Sequence, residues 1–272
     1  MMGNITLSAG VRQNLLALQS TADLFQQTSN RLATGKKVNS ALDNPNSFFT
    51  AQGLSSRASD LSDLLDGESN AVQTVQAAND GITAIQKLVA SAKALANSAL
   101  QTSDTAARAD LATQFDDLLT QIDQLAADSG FNGVNLLAGD NLTVNFNETS
   151  TSSVTINGVN DTTAGDLGVA AAANSWASKT DIDAALADIT AATSTLRTQA
   201  KTLSTSLSVV QTRQDFTKNL INTLQVGADN LTLADTNEEA ANLTALQTRQ
   251  QISTAALSMS SQSQQQVLRL FQ

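Results

Sequence analysis

The chain has 272 residues, enough for one or two domains, and 41% of them are hydrophobic, enough for a core. It has no Cys and no His, which removes disulfides, thiol nucleophiles, structural zinc and imidazole bases and leaves carboxylates, lysines and hydroxyls for chemistry. A net charge of -10 argues against a grip on nucleic acid or anionic lipid, while 3% aromatics, no Tyr and one Pro point to Ala, Leu, Val and Ile packed between long helices.

Met1-Met2-Gly3-Asn4 lacks the basic start of a signal peptide, and no apolar run is long enough to span a membrane. The expectation is a protein that is not membrane-inserted and that either stays in the cytoplasm or leaves without a cleaved leader. From Leu7 onward the pattern is helical: Val11, Leu15, Leu18, Ala22, Phe25, Ser29 and Leu32 recur in alternating steps of four and three. Gly35 to Pro45 reads as a connector, with Asn44-Pro45 ending it and opening a new helix.

That second helix keeps the four-three step through Leu61, Leu64, Glu68, Ala71, Val75, Ala78, Ile82, Ile85, Val89, Ala92, Ala96 and Ala99. Gly67 and Gly81 read as tolerated weak points within it. A shorter helix follows on Leu111, Phe115, Leu118, Ile122 and Leu125, ending near Ser129-Gly130 with Gly130 as a left-handed cap. Leu142, Val144 and Phe146, then Val154, Ile156 and Val159, alternate with polar residues and predict a small β region with an exposed loop at Thr149 to Ser153. The next helix has the most regular seam: Ile182, Leu186, Ile189, Thr193, Leu196, Ala200, Leu203, Leu207, Val210, Gln214, Thr217, Ile221 and Leu224 keep the four-three step unbroken, about 65 Å at 1.5 Å per residue. A rod is expected.

The last stretch places Ile252, Ala256, Met259, Ser263, Gln266 and Leu270 on a four-three stripe, with Leu243, Leu246, Leu257, Val267 and Phe271 on neighbouring ones. Amphipathic helices of this kind are marginal alone, so the two ends should pair with each other or with other copies.

Candidate chemistry is sparse. Asp116-Asp117 and Glu238-Glu239 are adjacent acids that do not converge on a helix, and Thr236 with Glu239 reads as a capping box starting the last helix. Thr180 and Asp183 give a weaker start signal for the long helix before it. Lys36-Lys37 lack a Gly-rich phosphate loop, and Trp176 reads as a packing anchor. No catalytic, cofactor-binding or metal site is expected.

Several stretches resemble bacterial flagellin. They are Leu15-Leu16-Ala17-Leu18-Gln19, Arg31 to Ala41 (RLATGKKVNSA), Asp43-Asn44-Pro45, Phe131 to Leu137 (FNGVNLL), Ala245 to Gln251 (ALQTRQQ) and Val267 to Phe271 (VLRLF). The resemblance covers the chain in order. It implies a mainly α fold: a long-helix coiled-coil rod with paired terminal helices and a small β-hairpin region. The domains it implies are an inner core of terminal helices, 1–34 and 228–272, and a spoke connector, 35–46. They continue with a helical rod, 47–139 and 180–227, and a short β/loop outer segment, 140–179, in place of large outer domains.

The implied function is that of a secreted, extracellular structural subunit of the flagellar filament, self-assembling for motility. The implied partners are other copies in a helical homopolymer, the flagellar export apparatus with its chaperone, and hook-associated and cap proteins. A hook-filament junction protein and a cell-surface adhesin are the alternatives. The residues expected at the filament-core interface are Leu7, Val11, Leu15, Leu18, Phe25 and Leu32 of the first helix. Those of the last are Leu243, Leu246, Ile252, Met259, Val267, Leu270 and Phe271.

Overall fold

The computed structural model describes residues 9–270. Five helices carry the chain: α1 (Ala9–Thr34), α2 (Pro45–Gln101), α3 (Thr105–Asp128), α4 (Lys179–Thr232) and α5 (Thr236–Leu270). Strands β1 (Leu142–Asn145) and β2 (Ser153–Ile156) form a two-stranded antiparallel sheet. The fold is mainly α with a small β-hairpin, as the periodicity predicts. The chain divides into two compact units, one holding the described residues up to Ser56 and from Thr223 onward, the other Arg57–Asn222.

In the second unit α2, α3 and α4 share one apolar core. Every residue of the predicted α2 stripe is buried except Leu64, which is half-buried. On α4, burial is complete at one position per heptad, Ile182, Ile189, Leu196, Leu203, Val210, Thr217 and Leu224, and partial at the other. Arg108 of α3 donates through Nε to the carbonyls of Ala99 (3.2 Å) and Thr102 (2.8 Å), satisfying acceptors that the end of α2 leaves unpaired. Small residues let the helices approach. At Gly81 an added Cβ would lie 2.7 Å from Ser129 Cβ and 2.8 Å from Leu137 Cδ1, so this glycine is a packing requirement and not a tolerated weak point.

The end of α3 differs from expectation. Gly130 is not left-handed; Ser129 closes the helix at φ -80, and the Asn135 amide donates to the carbonyls of Ala126 and Ala127, each at 2.8 Å. A side chain from beyond the helix satisfies the orphan acceptors, so no left-handed residue is needed there. Positive φ falls instead at Asn132 (50°) and Gly133 (80°), in a two-residue turn whose flanking Phe131 and Val134 exchange backbone bonds.

β1 and β2 pair in the register Leu142↔Ile156 to Asn145↔Ser153. Val144, Phe146 and Ile156 face the core, while residues 149–151 at the tip are exposed. Two arginines hold the hairpin: Arg57 Nε bonds Glu148 Oε1 at 2.8 Å, and the Arg213 guanidinium stands 5.4 Å from the Phe146 ring centroid. Beyond the hairpin, two α3 carboxylates fasten the returning loop. Asp123 accepts from the N–H (2.6 Å) and Oγ1 (3.0 Å) of Thr163, and Asp116 accepts from the Ala172 N–H at 2.8 Å.

Ala173–Trp176 follows as a tight turn in which Asn174, Ser175 and Trp176 all have positive φ. The turn delivers Trp176 to the core, where it is fully buried with its ring centroid 4.9 Å from that of Phe115. α4 then starts two residues ahead of the sequence signal: Ser178 and Asp181 bond reciprocally, Ser178 Oγ donating to Asp181 at 2.8 Å and Asp181 N–H to Ser178 Oγ at 3.3 Å.

Candidate assembly interface

In the first unit α1 packs on α5. α1 ends where Gly35 takes φ 68, a conformation open to glycine. The chain then pairs with the α4–α5 junction: Lys37 N–H and Val38 N–H donate to Thr232 O (2.8 and 3.2 Å), and Ala234 N–H donates to Gly35 O at 2.9 Å. Asp43 gathers the connector by accepting from the N–H groups of Asn39 (3.0 Å) and Ser40 (2.9 Å). Those bonds, the one from Ser40 foremost, hold its carboxyl below the ordinary range. Asn44 caps α2 by accepting from Ser47 N–H at 3.1 Å, with Pro45 in the first helical position. Lys36 and Lys37 therefore belong to a structural connector; Lys37 Nζ donates to Asn230 O at 3.2 Å.

α5 is capped by Asp235, which accepts from Asn237 N–H (2.9 Å) and Glu238 N–H (3.2 Å). This corrects the expected Thr236–Glu239 box. Because Asp235 does the capping, Glu239 is released to meet Arg31 of α1, Nη1 to Oε1 at 3.3 Å, and is itself 8% exposed.

Burial along the pair reveals its facing stripes. On α1 the inward positions are Val11, Asn14, Leu18, Thr21, Phe25, Thr28 and Leu32; on α5 they are Glu239, Leu243, Leu246, Gln250, Ser253, Leu257 and Ser260. Both keep the four-three alternation, but polar residues take much of each seam. A pair joined through Asn, Thr, Gln and Ser buries little apolar surface, so it is weak for its length. A groove of about 280 Å³ remains between the helices, lined by Leu24, Thr28, Arg31, Asn242, Leu246 and Arg249 among others.

The structure thus divides the residues expected at the interface. Val11 and Leu246 are buried, and Leu18, Phe25, Leu32 and Leu243 are half-buried in the pair. Leu15 (38% exposed), Ile252 (63%) and Met259 (65%) face away from it. Val267 and Leu270 fall in the last turns of the α5 backbone, and Leu7 and Phe271 lie outside the described residues. The stripe through Ile252 and Met259 is therefore the outer face of α5, and the neighbouring leucine stripe is the one turned to α1.

Further apolar side chains are exposed in the same unit: Leu16, Leu24, Leu42, Phe49, Val226 and Leu233. Sequence periodicity missed them because they fall off the leading stripe or in the connector; the doublets Leu15-Leu16 and Phe48-Phe49 were their visible signal. Of the large hydrophobic residues exposed among the described ones, all but Phe131, Val209 and Phe216 belong to this unit. Exposed apolar side chains concentrated in one unit in this way mark surface that meets another protein. Among the described residues no helix is long and apolar enough to cross a membrane, and no group of His, Cys, Asp or Glu could hold a metal ion.

A chain of long helices with weakly sealed, apolar-faced terminal helices defines a self-associating structural protein. Residues 8–142 match the bacterial flagellin N-terminal helical region and residues 180–271 the bacterial flagellin C-terminal helical region, so the chain belongs to the bacterial flagellin family. It is similar to flagellins FljM and FljK of Caulobacter vibrioides, each 31% identical over 99% of both chains. A flagellin of Brucella melitensis is 27% identical, again over 99% of both chains. The protein is a structural subunit of the flagellar filament, which lies outside the cell.

Proposed function

We propose that copies of this chain polymerise through the outer faces of α1 and α5, with residues 1–34 and 228–272 forming the inner layer of the filament. In this reading 35–46 is the spoke, 47–139 and 180–227 are the rod layer, and 140–179 is the short outer segment. The observation that carries it is the exposure of Ile252 and Met259, at 63% and 65%, on a helix whose inward seam is largely polar. Full burial of one such side chain contributes about 1.5–3 kcal/mol, and the contribution repeats at every subunit of a polymer.

The protein works by assembly and not by turnover. Support comes from the use of its acids: Asp116 and Asp123 hold loop N–H groups, Asp235 caps α5, and Glu239 pairs with Arg31. Its further partners are those of a subunit exported and then added at a growing end: the export apparatus with its chaperone, the hook-associated proteins and the cap.

The reading is tested by Ile252→Glu with Met259→Glu. The double variant is expected to keep the helical content and melting temperature of the monomer while failing to extend filament seeds in a sedimentation assay. Extension at the wild-type rate would refute the assignment of this face.

A further inference from the structure

The chain holds two Asn-Gly steps, Asn132-Gly133 and Asn157-Gly158, and the structure places them in opposite surroundings. An asparagine before a glycine is open to attack by its own main chain, because no side chain on the glycine shields its amide nitrogen from the asparagine Cγ. At Asn157 the attack is blocked. Gly158 N–H donates to Asn141 Oδ1 at 3.0 Å, and the glycine lies against the backbone of Gly139 and Asp140, so its peptide plane has no room to turn. At Asn132 that restraint is missing. Asn132 and Gly133 are both exposed, and among the described residues nothing accepts from the Gly133 N–H. A Cβ added to Gly133 would meet nothing within 4 Å.

The turn itself supplies the reactive geometry. With φ of 50° at Asn132 and 80° at Gly133 it is of type I′. Its two bonds, Phe131 N–H to Val134 O at 2.9 Å and Val134 N–H to Phe131 O at 3.0 Å, belong to the flanking residues. The central peptide can rotate without breaking them, carrying the turn into type II′, which closes the same two-residue loop. There the first central residue has φ of about 60° and ψ of about -120°. At that ψ the Gly133 nitrogen eclipses Asn132 Cβ and meets the side-chain Cγ, so a five-membered ring can close. The reversed φ that this asks of Gly133 is free to a glycine.

We propose that Asn132 is a site of spontaneous deamidation, selected over Asn157 by the freedom of its turn peptide. The Gly133 nitrogen gives its proton to solvent base and bonds Asn132 Cγ; the Cγ–Nδ2 bond breaks, and the leaving nitrogen takes a proton from water and departs as ammonia. Water then opens the cyclic imide. Cleavage at Cγ leaves aspartate at position 132, whereas cleavage at the main-chain carbonyl carbon leaves isoaspartate, with the chain running through the side chain. Aspartate keeps the turn, since Asp-Gly suits type I′ as Asn-Gly does. Isoaspartate lengthens the loop by one backbone carbon and disturbs the Phe131–Val134 pairing. That pairing stands next to Asn135, whose amide caps α3, and to the buried Leu136 and Leu137. The subunit thus carries a mark of age with a local structural effect.

The test is peptide mass spectrometry of the full-length monomer aged at pH 8, native and in denaturant, with isoaspartate separated from aspartate by chromatographic retention. In denaturant the two Asn-Gly steps are expected to convert at similar rates. In the native monomer Asn132 should keep most of that rate and yield both products, while Asn157 slows on the order of tenfold, the factor that one hydrogen bond supplies. Asn141→Ala, which removes the acceptor for Gly158 N–H, should speed conversion at Asn157 and leave Asn132 unchanged. Folding that slows Asn132 as much as Asn157 would overturn the proposal, as would native conversion of Asn157 as fast as that of Asn132. A rate at Asn157 unmoved by Asn141→Ala would overturn the part given to that hydrogen bond.

Discussion

Single residues decide where this chain tolerates change, and its two α2 glycines show the contrast. An added Cβ at Gly67 meets nothing within 4 Å, whereas at Gly81 it meets Ser129 and Leu137. Gly67→Ala should therefore stabilise the protein by about 1 kcal/mol through helix propensity. Gly81→Ala should destabilise it by about 1–3 kcal/mol through overpacking. Denaturant melts of the two variants check the opposite signs. The sequence made these glycines look alike, because propensity is local while the approach of Ser129 and Leu137 is tertiary.

Glu68 lies on the buried seam of α2, accepting from Thr217 Oγ1 of α4 at 3.1 Å through one oxygen and leaving the other unpartnered. Burial raises its pKa, against the pull of Thr217, Lys218 and Arg213. Its stabilising contribution is thus complete below the ordinary carboxyl value and declines as pH rises through the raised one. Glu68→Gln should melt near wild type at pH 4 and above it at pH 8. A difference that does not change with pH would refute this assignment.

Among elements, the long helices were legible because their apolar spacing coincides with their burial. The α2 stripe from Leu61 to Ala99 and the α4 stripe from Ile182 to Leu224 lie where a repeat of seven places them. Helix ends were legible only where the capping chemistry is local, as at Asn44-Pro45 and Gly35. The Asn135 cap on α3 comes from outside the helix, and at α5 two neighbouring acceptors, Asp235 and Thr236, competed for the same role. Asp235→Ala should cost α5 about 1 kcal/mol and raise amide exchange in its first turn, with the exchange of α2 unchanged. An unaltered first turn would mean that Thr236 can cap in its place.

At the scale of the whole molecule, the terminal pair was legible as two matching helices, but not which stripe each turns to the other. Ile252 and Met259 carry as much apolar weight as Leu243 and Leu257, so composition alone could not phase α5. The polar residues at Asn14, Thr21, Gln250 and Ser253 decide the consequence, since a seam of this kind leaves apolar surface for neighbouring copies. Met259 reports on that surface directly, because oxidation of a methionine follows its exposure. The decisive measurement is the rate of Met259 sulfoxide formation under dilute peroxide, read by peptide mass spectrometry in monomers and in assembled filaments. Rapid oxidation in the monomer, where the residue is 65% exposed, and strong protection in the filament is the expected result. Equal rates in the two states would contradict assembly through the outer face of α5.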